Sequence, residues 1–128
     1  MSTFNVMSKI HIWIGMSPKS KQDFAQYFEI NLVDKELGIG ASQFDKDVHI
    51  KWYDDDLIGV YYSEDDDLET AIDELPISPD AQKKVFDKCK ELNIYKANAM
   101  VYYEDSELEV VDTEKKYNDL TYLGRFDN

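Results

Sequence analysis

Cysteine, arginine and histidine are scarce in this 128-residue chain, and each scarcity closes off a kind of chemistry. Cys89 stands alone, which excludes an intrachain disulfide and a cysteine-based zinc site. Arg125 is the one arginine, whereas enzymes that handle phosphoryl or carboxylate groups draw more heavily on the guanidinium fork. The histidines are His11 and His49. No Cys/His, Ser/His/Asp or lysine-centred arrangement can be assembled from local motifs, and there is no glycine-rich phosphate loop. No apolar stretch approaches the roughly 18–20 residues of a membrane helix. Met1–Ser8 has neither the basic nor the apolar region of a signal peptide. The expected location is therefore the cytoplasm.

What the chain has in quantity is acid. Its net charge is −13, from 27 aspartates and glutamates against 14 lysines and arginines. A composition 43% hydrophobic and 13% aromatic is too rich for a disordered acidic tail. The charge therefore belongs to a folded surface, expected to be that of one domain over residues 1–128 with residues 1–8 disordered. Between Asp34 and Glu74 fourteen acids face three lysines, so this stretch carries −11 of the −13. Nucleic acid backbones and anionic membranes would repel such a surface. A cationic protein, a cation or plain solubility are the uses that remain.

Hydrophobic spacing and caps outline the elements. Lys9–Ile14 alternates and stops at Gly15, a first strand. Ser20-x-x-Asp23 caps a helix whose apolar face is Phe24, Tyr27 and Phe28. Gly38 and Gly40 mark a turn. Ser42-x-x-Asp45 opens a short helix with Phe44 and Val48 inward; Lys51–Tyr53 reads as extended and Leu57–Tyr62 as a strand. Leu68, Ala71, Ile72 and Leu75 describe a third helix. Ser78-Pro79-Asp80 starts a fourth, with Ala81, Val85, Cys89 and Leu92 as its stripe. Asn98–Glu104 and Glu107–Val111 suggest a hairpin about Asp105-Ser106, and Asp119–Phe126 a final strand after a Thr113–Asn118 turn. The order predicts an α+β fold, a mainly antiparallel sheet of four to six strands with about four helices packed on it.

The candidate site lies where acids and aromatics meet. Asp54-Asp55-Asp56 and Glu64-Asp65-Asp66-Asp67 flank the Leu57–Tyr62 strand, with Trp52 and Tyr53 before the first tract and Tyr61 and Tyr62 before the second. Adjacent residues on a strand face opposite ways, so one tyrosine of each pair is expected outside, as is one of Tyr102 and Tyr103. Exposed tyrosines and Trp52 would then anchor an interface rimmed by carboxylates. The alternative is ordinary sheet packing beneath a solvated acidic surface.

Clustered carboxylates also suit Ca²⁺ or Mg²⁺, and a divalent-cation-binding regulatory domain is the rival function. Neither tract has the D-x-[DN]-x-[DN]-G loop, however, and Asp45-Lys46-Asp47 with His49 is better explained by a capped helix. A carboxylate-dependent hydrolase is a more distant rival. His11, alternating with Ile10 and Ile12, reads as a structural or surface residue on the other strand face. Cys89 on its helical stripe reads as a small buried hydrophobe. No cofactor is implied.

The segments His11-Ile12-Trp13-Ile14-Gly15, Tyr27-Phe28, Ser42-Gln43-Phe44-x-x-Asp47, Trp52-Tyr53-Asp54-x-Asp56 and Tyr122-Leu123-Gly124-x-Phe126 occur in an order that resembles the immunity protein 22 family of bacterial polymorphic toxin systems. The resemblance runs from Ile10 to Phe126, and its most specific parts are the first strand and the S-Q-F…W-Y-D-x-D block. It implies a non-enzymatic protein that binds and neutralises a cognate toxin in the cytoplasm, with no catalytic residues to carry over. Trp13 and Gly15 match structural positions. Asp47, Trp52, Tyr53, Asp54 and Asp56 match the family's polar block, in which structural and partner-facing roles are both open. Asp55 and Glu64–Asp67 lie outside the motif and are the candidates for partner selection. The combined expectation is a partner-binding face of Asp45, Asp47, Trp52, Tyr53, Asp54–Asp56, Tyr61, Tyr62 and Glu64–Asp67, turned toward a basic toxin such as a nuclease.

Overall fold

A computed structural model describes residues 9–127. The expectation for residues 1–8 lies outside this range. The elements are β1 (Lys9–Gly15), α1 (Lys21–Gln26), α2 (Leu32–Leu37), α3 (Gln43–Val48), β2 (Ile58–Tyr62), α4 (Leu68–Asp73), α5 (Pro79–Glu91), β3 (Ala99–Tyr103), β4 (Lys116–Tyr117) and β5 (Leu120–Asp127). The five strands form one antiparallel sheet in the order β2-β3-β1-β5-β4, and the class is α+β as expected.

β1 sits at the centre of the sheet and is covered on both sides, which explains its nearly continuous apolar run. Ile10, Ile12 and Ile14 face α4 and α5, packing with Leu68, Ile72, Val85 and Met100 in an aliphatic core. Trp13 faces α1 and α3 across an aromatic core that includes Phe24, Phe28, Phe44 and Tyr103. The Trp13 and Phe44 rings meet edge to face with centroids 5.3 Å apart, the geometry that aromatic quadrupoles favour. A bulge in β5 keeps both cores supplied. The register with β1 shifts between Ile12 and Trp13, Leu123 and Tyr122 are buried in opposite cores, and Gly124 supplies the positive φ of 120° beside the extra residue.

Local caps form where the sequence places them. Ser20, Ser42 and Ser78 each accept a hydrogen bond from the backbone N–H three residues on, which satisfies a donor that every helix start leaves orphaned. At Ser42 the capping box is complete, because the Asp45 carboxylate accepts from the Ser42 N–H at 3.0 Å.

The C-terminal hairpin differs from expectation. β3 pairs with β1 and β2, not with Glu107–Val111, which forms no strand. The Asp105 carboxylate accepts from the Glu107 N–H at 2.9 Å and turns the chain, and Leu108 is then buried in the aromatic core. The expected turn at Thr113–Asn118 contains β4. The tight turn is Asn118-Asp119, both with positive φ (52° and 71°), the two-residue loop that suits a right-twisted hairpin. Lys51–Tyr53 is not a strand, and Leu92 lies exposed just past the end of α5.

Candidate partner-binding surface

The two acidic tracts are built as the entry and exit of an edge strand. Before β2, the Asp54 N–H donates to the Tyr103 hydroxyl at 3.0 Å, and the Asp54 carboxylate accepts from the Asp56 N–H at 2.9 Å. This folds Asp54–Asp56 into a turn with all three side chains exposed. After β2, Ser63 Oγ accepts from the Asp65 N–H, and Asp67 precedes α4, its carboxylate accepting from the Thr70 hydroxyl at 2.6 Å. Glu64–Asp67 are exposed as well. At about 3.3 Å per residue, β2 holds the tracts on the order of 15 Å or more apart. They therefore cannot converge on one ion. Among the described residues no group of three or more His, Cys, Asp or Glu side chains is placed to hold a metal.

Several expected contact residues also make contacts within the fold. Asp45 is fully buried at the start of α3; burial raises its pKa, opposed by the hydrogen bonds from Ser42. It is closed to a partner in this fold, because the capping box that makes the residue useful also draws it inside. Asp47 accepts from the Tyr27 hydroxyl and from Gln43 Nε2 (3.0 Å) and pairs with Lys115 at 3.3 Å. It ties α1, α3 and the C-terminal loop together. Tyr53 and Tyr62 donate their hydroxyls to the carbonyls of Phe28 (2.8 Å) and Lys19 (2.6 Å).

Alternation along β2 does not leave a tyrosine outside. Tyr61 and Tyr62 are both half-buried, as is Tyr102, while Tyr103 is buried. Each side of the sheet has a core, so a change of face carries a side chain from one core to the other rather than into water. Trp52 is the aromatic that does stand out, 52% exposed, with the Lys35 ammonium 5.8 Å from its ring centre. It lines a shallow concavity with Lys35, Asp54, Asp55, Asp56 and Asp105. No lysine, arginine or histidine among the described residues pairs with Asp54, Asp55 or Asp56, whereas Asp66 pairs with Lys96 at 3.5 Å.

Of the groups that ordinarily do catalysis, His11 and Cys89 are committed to the interior, and His49 lies exposed at the end of α3. His11 is fully buried. Its Nε2 lies 3.1 Å from the Asp105 carbonyl and its Nδ1 2.8 Å from the Tyr122 hydroxyl. A carbonyl only accepts, so Nε2 carries the proton and Tyr122 donates to Nδ1. Burial lowers the His11 pKa and pushes the Tyr122 hydroxyl up to about 12, which keeps both neutral. Cys89 is buried on α5, its thiol pushed up to about 11, and an unionised thiol is a poor nucleophile.

One element escaped the sequence reading. Gly38 and Gly40 mark a turn in the sequence and no element is assigned there to α2, yet Asn31 caps its start, accepting from the Asp34 N–H at 3.0 Å, and left-handed Gly38 ends it. An asparagine followed seven residues later by glycine is a helix signature that would have found it. α2 has no buried residue at all.

The fold and surface define a small α+β protein in which His11 and Cys89 are internal and the outward features include carboxylates, one indole and an unburied helix. A family model described as Immunity protein 22 matches residues 10–128, nearly the whole chain, and the chain belongs to that family. Membership supports an immunity function and implies a partner toxin. No curated protein and no solved structure matches the chain.

Proposed function

We propose that this chain, acting as a single domain in the cytoplasm of the producing cell, binds and neutralises a cognate toxin without catalysing any reaction. The toxin is basic, a nuclease being the apt example, and the acidic surface occupies the site where phosphates would otherwise lie. The observation that carries this reading is the exposure of both tracts, Asp54–Asp56 and Glu64–Asp67, within the stretch that holds −11 of the chain's −13. Concentrated surface charge destabilises a compact protein through self-repulsion but accelerates capture of an oppositely charged one. Among the described residues no helix is long and apolar enough to cross a membrane, in keeping with an inhibitor that meets its target in water.

Titration calorimetry with the toxin domain encoded beside this gene, at low and high salt, is the test. Tight binding that weakens as salt rises is expected, because a screened charge contributes less. Asn at positions 54, 55 and 56 together should weaken binding and flatten its salt dependence. An absence of binding would overturn the function. Tight binding indifferent both to salt and to those substitutions would overturn the acidic-face mechanism alone.

A further inference from the structure

α2 and the residues around it carry several of the large apolar side chains that are exposed among the described residues. Leu32 is 71% exposed, Val33 66%, Leu37 65% and Ile39 57%, and the exposed Trp52 ring lies against Lys35 of the same helix. A six-residue helix is too short to persist on intrinsic propensity, and in most proteins an apolar face docked on the core would hold it. Here polar ties do so. The Asn31 and Gly38 caps close its ends, the Asn31 N–H donates to the Ala41 carbonyl at 2.6 Å, Asp34 pairs with Lys46 at 2.9 Å, and Lys35 lies over Trp52. Gly40 fixes the exit: its φ is 104°, and a side chain there would meet Lys46 Cγ at 2.5 Å. The segment is thus anchored by backbone and charge while its apolar side chains point to water, an arrangement that marks an interaction surface.

The surroundings specify what would cover it. Trp52 and Lys35 share their concavity with Asp54–Asp56, whose carboxylates have no cationic partner among the described residues. An apolar centre with a carboxylate rim is complementary to an apolar centre with a lysine and arginine rim. A second copy of this chain is the poorer fit, since it would bring two molecules of net charge −13 together, carboxylate against carboxylate.

We infer that α2 and Trp52 are the apolar centre of the toxin-binding face, with Asp54–Asp56 as its charged rim, and that the partner presents apolar side chains ringed by basic ones. This rests on the toxin-binding reading and places the main contact on a segment outside the Glu64–Asp67 tract. Indole and aliphatic side chains at the centre of an interface carry most of the affinity, while rim charges govern the rate of encounter.

The experiment is calorimetric titration of the intact protein with the toxin domain encoded beside its gene, comparing wild type, Leu32→Ser/Leu37→Ser and Asp65→Asn/Asp66→Asn. Both leucines are exposed, so the melting temperature of the serine variant should stay near wild type and confirm its fold. The expected result is at least a tenfold loss of affinity in the serine variant with unchanged salt dependence, and a smaller loss in the asparagine variant. Wild-type binding matched within twofold by the serine variant would overturn the inference and leave toxin neutralisation standing. Absence of wild-type binding would overturn both. A wild-type dimer seen by light scattering, dissociated by the serine substitutions with toxin affinity unchanged, would assign the patch to self-association and overturn the inference as well.

Discussion

α5 and α2 use apolar residues in opposite ways. α5 runs thirteen residues, buries Ala81, Val85 and Cys89 against the sheet, and keeps Lys83, Lys84 and Lys90 outside. α2 runs six residues, buries none, and turns Leu32, Val33 and Leu37 outward. In α5 the periodic stripe is what makes the element fold, because removal of that surface from water stabilises it. In α2 the caps and the Asp34–Lys46 pair take over that task, and the apolar side chains are left exposed. The contrast separates residues that hold the fold from residues that face outward, and substitutions can test where that line falls.

The largest effect should come from a charge inserted into the α5 stripe. Val85 is fully buried, and an unpaired buried carboxylate costs several kcal/mol. Since small domains are stable by only about 5–15 kcal/mol, Val85→Asp should lose its cooperative thermal transition by circular dichroism. Leu37→Asp on α2 should melt close to wild type; an equal loss in both would erase the distinction. Next is the aromatic core. Phe44→Ala removes a ring packed between Trp13, Phe28 and Tyr103 and should cost about 3–5 kcal/mol in urea denaturation.

A smaller effect belongs to the buried polar pair. Tyr122→Phe leaves His11 Nδ1 without its donor and should cost about 1–3 kcal/mol. The pH dependence has a defined sign. Burial depresses the His11 pKa below its ordinary 6.5, so its contribution to stability is present above about pH 6.5 and is lost as pH falls through the folded value. Asp45 runs the other way: its raised pKa gives a contribution present below about pH 4 and lost as pH rises through the folded value. Titration of the His11 ring by NMR should give a value under 6.5, and a value at or above it would contradict the buried neutral imidazole. The smallest effect is Leu32→Ser, expected within about 0.5 kcal/mol of wild-type stability.

What the sequence disclosed follows the same division. The caps at Ser20, Ser42 and Ser78, the β1 strand and the α5 stripe were legible because each is a local pattern whose physical cause lies within a few residues. The partners of β3 were not. Asn98–Glu104 is adjacent to Glu107–Val111 in sequence, yet pairing with β1 is far off along the chain and becomes visible only once both cores have closed. The tyrosines of β2 were misassigned for a related reason, since alternation tells inside from outside only on a sheet with one solvated face.

Much of the motif is internal. His11, Trp13, Phe44 and Tyr122 are all buried, and Asp47 and Tyr53 are held by internal hydrogen bonds. Of the expected contact residues, Trp52, Asp54–Asp56 and Glu64–Asp67 are exposed. The apolar face of α2 lay outside that set because apolar residues beside glycines carry no periodic signature of an interface.

The central claim is that exposed charge on this chain captures a basic toxin. The dissociation constant of the wild-type complex with the toxin domain encoded beside its gene, measured at about 50 and about 200 mM salt, tests it most directly. The account predicts tight binding that weakens severalfold across that interval. A titration with no heat of binding and no shift in the protein's melting temperature at either salt would contradict it.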